Sequence, residues 1–234
     1  MREGRGEPIG PCPHPSAPSA LPPSPDGRGN LAPLDVVADF PAIPAGWHYL
    51  DSAVSAQKPR VVIDAIDRGY AQDYAAVHRG VYQRSSEMTG RYEDARSAAS
   101  NLIGGKPDEL IFTRGATEAI NLVAYTFARE RIREGDEIVL SIMEHHSNIV
   151  PWHFLRERQG AVIKWAPIDE DGNFLIDEFE KLITPRTKLV AMTHMSNALG
   201  TIVPIKEVTR IAHAHGIPVL VDGAQGAVHL EVDV

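Results

Sequence analysis

The sequence is short of several things, and each shortage closes off a class of protein. It has a single cysteine, Cys12, which rules out a disulfide framework and a cysteine-built zinc centre. That shortage fits a reducing compartment, and the cytoplasm is the expected location. No apolar run approaches the roughly 20 residues that span a bilayer, and the N-terminus has no continuous apolar core of the kind a secretory signal needs. Positive charge is also in deficit. With 23 Lys and Arg against 31 Asp and Glu, the net charge is −8, which argues against a general affinity for nucleic acid or an anionic membrane. No internal repeat is visible. What remains is 234 residues, 43% of them hydrophobic, enough for a substantial core in one large domain or two small ones.

Composition changes near residue 33. Met1 to Pro33 is rich in Pro, Gly and Ser, and it has too little apolar surface to offset the entropy of ordering. Glu3, Glu7 and Asp26 interrupt any transit-peptide pattern. Residues 1–33 are therefore expected to form a disordered extension, or to be upstream sequence added by a start codon placed too early. Residues 34–234 are expected to form the ordered unit.

From Leu34 onward, helical and strand patterns alternate. Pro59 opens a helical pattern to about Ala76, a favoured place for proline. A second helix is expected from about Thr89 to Ile103, stopped by Gly104-Gly105. Glu109 to Thr113 reads as a short strand, Ala116 to Arg133 as a helix, and Glu137 to Ser141 as the next strand after a Gly135-Asp136 turn. A helix near Asn148, with Pro151 in its first turn, ends at Gly160; Ala161 to Ile168 is strand-like. Asp169-Glu-Asp-Gly172 is a turn, and Asp177 with Glu180 forms a capping box. Lys188 to Met195 is a strand, Pro204 to His215 a helix stopped by Gly216, and Ile217 to Asp222 a buried strand ending in an acid. This alternation predicts an α/β fold, a mostly parallel sheet with helices on both faces.

In open α/β sheets, ligands bind beyond the carboxyl ends of the strands, so four strand-end loops are candidates. In Thr113-Arg-Gly-Ala116-Thr117-Glu118, free N–H groups at a helix start favour an anion such as phosphate, and Thr117 adds a hydroxyl; the loop also reads as an ordinary turn with a Gly cap. In Met143-Glu-His145-His146-Ser-Asn148, His145 is suited to stacking on an aromatic ligand or to acid–base work. A zinc site from His145, His146 and His153 is disfavoured, because adjacent residues of an extended segment point to opposite sides. Asn197, in His194-Met-Ser-Asn197-Ala-Leu-Gly200, offers an amide to a ligand or to its own backbone. The last loop holds Asp222 and Gln225. A ligand with a phosphate at one end and a basic aromatic nitrogen at the other would use all four. Pyridoxal 5′-phosphate has that shape, and Asp222 would keep its ring nitrogen protonated, making the ring an electron sink.

The sequence resembles the SufS-like (group II) cysteine desulfurases, within the class V aminotransferases of pyridoxal-phosphate fold type I. The matching pieces are Tyr49-Leu-Asp-Ser-Ala-Val-Ser-Ala-Gln-Lys-Pro59, His78-Arg-Gly80, Thr113-Arg-Gly-Ala-Thr-Glu-Ala-Ile-Asn-Leu-Val-Ala124, Glu144-His-His-Ser-Asn-Ile-Val-Pro-Trp152, Ser196-Asn-Ala-Leu-Gly-Thr201 and Asp222-Gly-Ala-Gln225. The resemblance implies the large domain of a pyridoxal-phosphate-dependent transferase, in truncated form. By the same resemblance, Ala116 and Thr117 would hold the cofactor phosphate. His145 would stack on the ring and shuttle protons, and Asn197 would lie near the ring hydroxyl. Asp222 would pair with the ring nitrogen and Gln225 with the ring oxygen. His78 and Arg79 would sit at the active-site entrance or across a dimer interface. The implied reaction takes L-cysteine to L-alanine, passing sulfur to a persulfide and then to an acceptor protein for iron–sulfur cluster assembly, in a homodimer when full length.

The chain departs from that family in its extent. Its match covers about the first half of a typical member. The family's Schiff-base lysine lies in a Ser-x-His-Lys motif beyond Asp-Gly-Ala-Gln, and this sequence ends at Val234. Lys58, Lys106, Lys164, Lys181, Lys188 and Lys206 all stand in other contexts. The persulfide cysteine and a substrate-binding arginine belong to the same missing half. The expectation is therefore an inactive N-terminal fragment with an exposed apolar sheet edge. Val54 also stands where the family carries a small residue. The competing readings are another class V enzyme (a selenocysteine lyase, a kynureninase-like hydrolase or an epimerase) or a non-catalytic protein that binds cofactor or a partner subunit.

Overall fold

The computed structural model describes residues 36–234; the expected extension of residues 1–33, with Cys12, lies outside them. Four strands form one sheet: β1 (Glu137–Ser141), β2 (Val162–Ala166), β3 (Thr187–Thr193) and β4 (Val219–Asp222), in the order β2-β1-β3-β4. Every pairing is parallel. The register sets Ser141 beside Ala166 and Thr193 beside Asp222, so the carboxyl ends of the strands finish together. Among the described residues β4 pairs only with β3, leaving its other edge without a ladder partner.

The alternation of side chains along each strand builds two cores, one per face. Ile138 and Leu140 of β1, with Leu189 and Ala191 of β3, pack on one face against Ile120, Ala124, Ala128, Trp152 and Leu155. Those residues come from α3 (Ala116–Val123), the π-helical turn Ala124–Ala128 that prolongs it into α4 (Arg129–Arg131), and α5 (Val150–Gln159). Val139, Val190 and Met192 point the other way, onto Phe179 of α6 (Ile176–Leu182) and Val208, Ile211 and Ala212 of α7 (Ile205–Ala214). The α/β architecture with helices on both faces is as the alternation predicts.

Local chemistry fixes the joints that aim the strands. Gly160 ends α5 at φ 72°, in the left-handed region. A Cβ there would also meet the Glu134 Cγ at 2.9 Å. Glycine is needed on both counts, and its carbonyl accepts the Gly135 N–H at 3.0 Å. At the same, amino-terminal end of the sheet, Glu137 accepts hydrogen bonds from the Thr184 hydroxyl at 2.6 Å and the Thr187 hydroxyl at 3.2 Å, and pairs with the Lys164 Nζ at 2.9 Å. Burial pushes the Glu137 pKa up, but the bonds from Thr184 and Lys164, the Lys164 charge and Thr187 together bring it below the ordinary carboxylate value. The group therefore stabilises the fold above the unfolded carboxylate pKa of about 4.3, and that contribution is lost as pH falls through the lower folded value. Lys164→Met should cost about 1–3 kcal/mol at neutral pH. In urea titrations across pH, the gap from wild type should narrow below about pH 4; a constant gap would mean that the pair does not act through charge.

Several boundaries differ from the sequence reading. The first helix, α1, is Arg60–Ala71 rather than reaching Ala76, with Pro59 as its N-cap. The second, α2, starts at Gln83, earlier than Thr89, and ends at Leu102; the polar run Gln83-Arg-Ser-Ser-Glu87 carries no apolar period to reveal it. Glu109 to Thr113 is not a strand. Pro107–Glu109 is a 3₁₀ turn, and Leu110 to Thr113 has no ladder partner among the described residues, with Ile111 70% exposed. The Asp177–Glu180 capping box does not form either. The helix begins two residues earlier, with Leu175 as its N-cap, so Asp177 lies inside the first turn, where its charge still suits the helix dipole.

Candidate active site

The ends of β1, β3 and β4 and the start of α3 bring the predicted loops to one place. A cleft of about 220 Å³ is lined by Ala53, Val54, Ala116, Thr117, His145, Ser147, Thr193, Met195, Asn197, Asp222, Ala224 and Gln225. All six residues expected to hold a ligand there, Ala116, Thr117, His145, Asn197, Asp222 and Gln225, are among them. None of the chain's six lysines lines it. A larger cavity of about 340 Å³ between α3 and α5, lined by Tyr125, Arg129, Phe154 and Arg158 among others, contains none of the six.

One end of the cleft presents the free backbone donors of a helix start. Gly115, the N-cap of α3, has φ 153° and ψ 178°, a region essentially restricted to glycine. The first helical hydrogen bond is Ala119 N–H to the Gly115 carbonyl at 3.1 Å, so the N–H groups of Ala116 and Thr117 have no partner inside the helix. The Thr117 hydroxyl stands beside them. Glu118 turns back to accept the Arg114 N–H at 2.6 Å and the Arg114 guanidinium at 3.1 Å, and these bonds hold its carboxyl below the usual range. A Cβ on Gly115 would meet nothing within 4 Å, so the glycine serves conformation rather than space. Gly115→Ala should therefore cost about 1–3 kcal/mol of stability in urea unfolding; an unchanged midpoint would show that the turn tolerates an ordinary residue.

The other end carries the acid. Asp222 is the last residue of β4 and only 7% exposed. Its Oδ1 accepts the Ala224 N–H at 3.0 Å, which fixes the carboxylate. Among the described residues Oδ2 accepts no hydrogen bond, and no basic side chain lies within ion-pair distance. That second oxygen is open to the cleft, where a protonated ring nitrogen would supply a counter-charge.

His145 reaches the cleft from the loop after β1. Its Nδ1 accepts the Ser147 N–H at 3.2 Å and lies 2.9 Å from the Ser147 hydroxyl. Accepting from an amide leaves Nδ1 without a proton, so the neutral ring carries its hydrogen on Nε2. His146 lies outside the lining, 6.1 Å from the His145 ring centroid, and His153 packs near Trp165. The three histidines are not gathered, and among the described residues no group of three His, Cys, Asp or Glu could hold a metal. Asn197 opens the turn closed by Gly200 N–H to the Ser196 carbonyl at 2.9 Å; its own amide is not used in that turn.

Two features were not read from the sequence. The Gln225 Nε2 donates to the Ala53 carbonyl at 2.9 Å across 172 residues, so the Tyr49–Pro59 segment closes one wall of the cleft. Glu144, next to His145, is buried beneath the loop and accepts four hydrogen bonds. Both are tertiary contacts that no local pattern announces, although each residue lies in or beside a motif that carries the family resemblance. His78 and Arg79 do not line the cleft. His78 sits at φ 61°, held by its N–H to the Thr89 hydroxyl at 3.0 Å and its Nε2 to Glu93 at 3.0 Å; Arg79 is exposed in the same loop.

The fold defines a class, an open parallel α/β protein, and its cleft gathers free helix-start N–H groups, an imidazole, an amide and an unpaired acid. The comparisons narrow it. The profile of the family "Aminotransferase class-V" matches residues 48–234, and the chain belongs to that family. It is 43% identical over 223 residues to a protein named probable cysteine desulfurase from Mycolicibacterium paratuberculosis, covering 91% of this chain and 32% of that one. It is 49% identical over 187 residues to a probable cysteine desulfurase from Halalkalibacterium halodurans, covering 80% and 46%. Among solved structures, the apo cysteine desulfurase of Thermococcus onnurineus superposes with a TM-score of 0.80 at 37% identity, over 86% of this chain and 50% of that one. A cysteine desulfurase from Escherichia coli gives 0.76 at 39%, over 84% and 50%. The chain thus spans from a third to half of the length of these relatives. Among the described residues no helix is long and apolar enough to cross a membrane.

Proposed function

We propose that this chain is the cofactor-holding part of a pyridoxal-phosphate-dependent cysteine desulfurase. One observation carries the reading: the free N–H groups at the start of α3 and the unpaired Asp222 carboxylate line the same cleft of about 220 Å³, together with His145 held by Ser147. The residues fit the cofactor. When bound, it would supply an electron sink for negative charge at the substrate's Cα. The N–H groups of Ala116 and Thr117, with the Thr117 hydroxyl, would donate to its phosphate. Asp222 would hold a proton on the ring nitrogen through Oδ2, and His145 would cover the ring with Nε2–H available as a donor. Asn197 and Gln225 would address the ring's oxygen. Since the Gln225 Nε2 already binds Ala53, that contact would also tie ligand binding to the Tyr49–Pro59 wall.

The names of the relatives support L-cysteine as the substrate, with L-alanine as product and sulfur leaving through an enzyme persulfide to an acceptor protein. For the full-length protein we infer a cytoplasmic homodimer serving iron–sulfur cluster assembly, with His78 and Arg79 at the entrance or facing the second subunit. Because no lysine lines the cleft, binding to this chain alone would be non-covalent and turnover of cysteine is not expected from it. The test is equilibrium dialysis of the purified chain with pyridoxal phosphate and, separately, with pyridoxal. Saturable binding of the phosphorylated form, at least about tenfold tighter than the other as the loss of several charge-assisted bonds requires, supports the reading. Equal affinity for both would remove the cradle from its role.

A further inference from the structure

Glu144 is a buried acid that the reading above does not use. It is 8% exposed, and among the described residues it has no basic partner within ion-pair distance. Its Oε1 accepts the Ser141 hydroxyl at 2.6 Å, the Ser141 N–H at 3.3 Å and the Thr193 N–H at 2.9 Å. Its Oε2 accepts the Asn148 Nδ2 at 2.7 Å.

The donor directions admit one solution. The Trp152 indole can only donate, and its Nε1 gives to the Asn148 Oδ1 at 3.0 Å. That fixes the Asn148 amide, which then presents N–H to Glu144. The Ser141 Oγ accepts the Met143 N–H at 3.1 Å, so its own proton goes to Glu144. The Thr193 amide can only donate. Every neighbour gives a hydrogen, and a carboxylate at the centre accepts them all. Burial raises the Glu144 pKa above the ordinary carboxylate value, with the donors opposing the shift.

The partners come from three places: the end of β1 at Ser141, the 3₁₀ turn His146–Asn148 through Asn148, which Trp152 of α5 holds, and the end of β3 at Thr193. Thr193 lines the cleft and is the ladder partner of Asp222. His145 is the next residue in the chain. We propose that Glu144 is the positioning residue of the site: its carboxylate clamps the His145 loop to the ends of β1 and β3, so that the imidazole and Asp222 face one ligand. What His145 then does rests on the cofactor reading above; the clamp itself does not.

The variant Glu144→Gln keeps the shape but turns an NH₂ group toward a donor. Imidazole ¹⁵N shifts, read above the ordinary histidine pKa of about 6.5, report the His145 tautomer without any ligand. Wild type should show Nδ1 bare and Nε2 protonated. Glu144→Gln should show a mixture, and its dissociation constant for pyridoxal phosphate should rise about tenfold or more, the effect of losing one strong bond. Ser141→Ala removes one donor and keeps the charge, so it provides a folded sample with a smaller shift in the same direction. Unchanged His145 signals in Glu144→Gln, or in Ser141→Ala where the first variant does not fold, overturn the proposal. So does a lowered melting temperature with the tautomer and affinity both intact, since that is what a purely structural role would give. If wild type binds no pyridoxal phosphate, the cofactor reading fails, and the tautomer comparison still decides the clamp.

Discussion

Replacing Asp222 by Ala is expected to weaken binding of pyridoxal phosphate by about 10- to 150-fold, the equivalent of the 1.5–3 kcal/mol that a charge-assisted hydrogen bond contributes. The expectation rests on the state of the carboxylate. One oxygen is committed to the Ala224 N–H, and the other accepts no bond among the described residues of a mostly buried group. Stability should fall by only about 1 kcal/mol, the worth of the bond from Ala224, because the other oxygen already faces the cleft. Asp222→Asn separates charge from shape: an amide there can only make a neutral bond, so its affinity should fall between those of wild type and Ala. Dialysis and thermal melts on the same samples check both halves. Wild-type affinity in Asp222→Ala would detach the acid from the ligand.

The largest expected effect on stability belongs to Trp152→Ala. Trp152 is fully buried in the core on the α3–α5 face of the sheet, and its indole also fixes the Asn148 amide at 3.0 Å. Emptying such a site costs about 3–5 kcal/mol, a large part of the 5–15 kcal/mol that holds a typical domain together. Trp152→Phe keeps most of the apolar contact and loses the indole donor, so about 1–2 kcal/mol is expected from the bond alone. Urea unfolding measures both. A loss below about 1.5 kcal/mol for the Ala variant would mean that the core collapses around the gap. Because Asn148 is the link to Glu144, both variants should also free the His145 ring from its single tautomer.

What the sequence revealed, and what it hid, follows from the range of the forces involved. Glu137–Ser141 is an unbroken run between a glycine turn and a polar loop, and it is β1 to the residue. Gly160, Gly200 and Gly216 mark real left-handed turns. These features are written in adjacent residues. Four of the six cleft residues, His145, Asn197, Asp222 and Gln225, were legible for a different reason: a parallel sheet brings its strand ends to one edge, so residues far apart in sequence share a cleft once the topology is known; Ala116 and Thr117 reach the same cleft from the start of α3, without the strand expected before them. Leu110 to Thr113 looked like a strand because apolar residues favour one, yet a strand exists only when a neighbour completes its ladder, and none of the described residues does. The Asp177–Glu180 pattern failed because a cap depends on where the chain turns, which here is Leu175. Glu144 and the Gln225–Ala53 bond were out of reach altogether. A buried acid next to a histidine reads as another polar loop residue until three separate elements are seen to donate to it.

The most direct test is a crystal structure of this chain grown with pyridoxal phosphate. The account predicts the phosphate on the N–H groups of Ala116 and Thr117, and the ring nitrogen about 2.7–2.9 Å from the Asp222 Oδ2, the distance of a charge-assisted bond. A phosphate seated instead between Arg129 and Arg158, in the cavity between α3 and α5, with Asp222 left empty-handed, would contradict it.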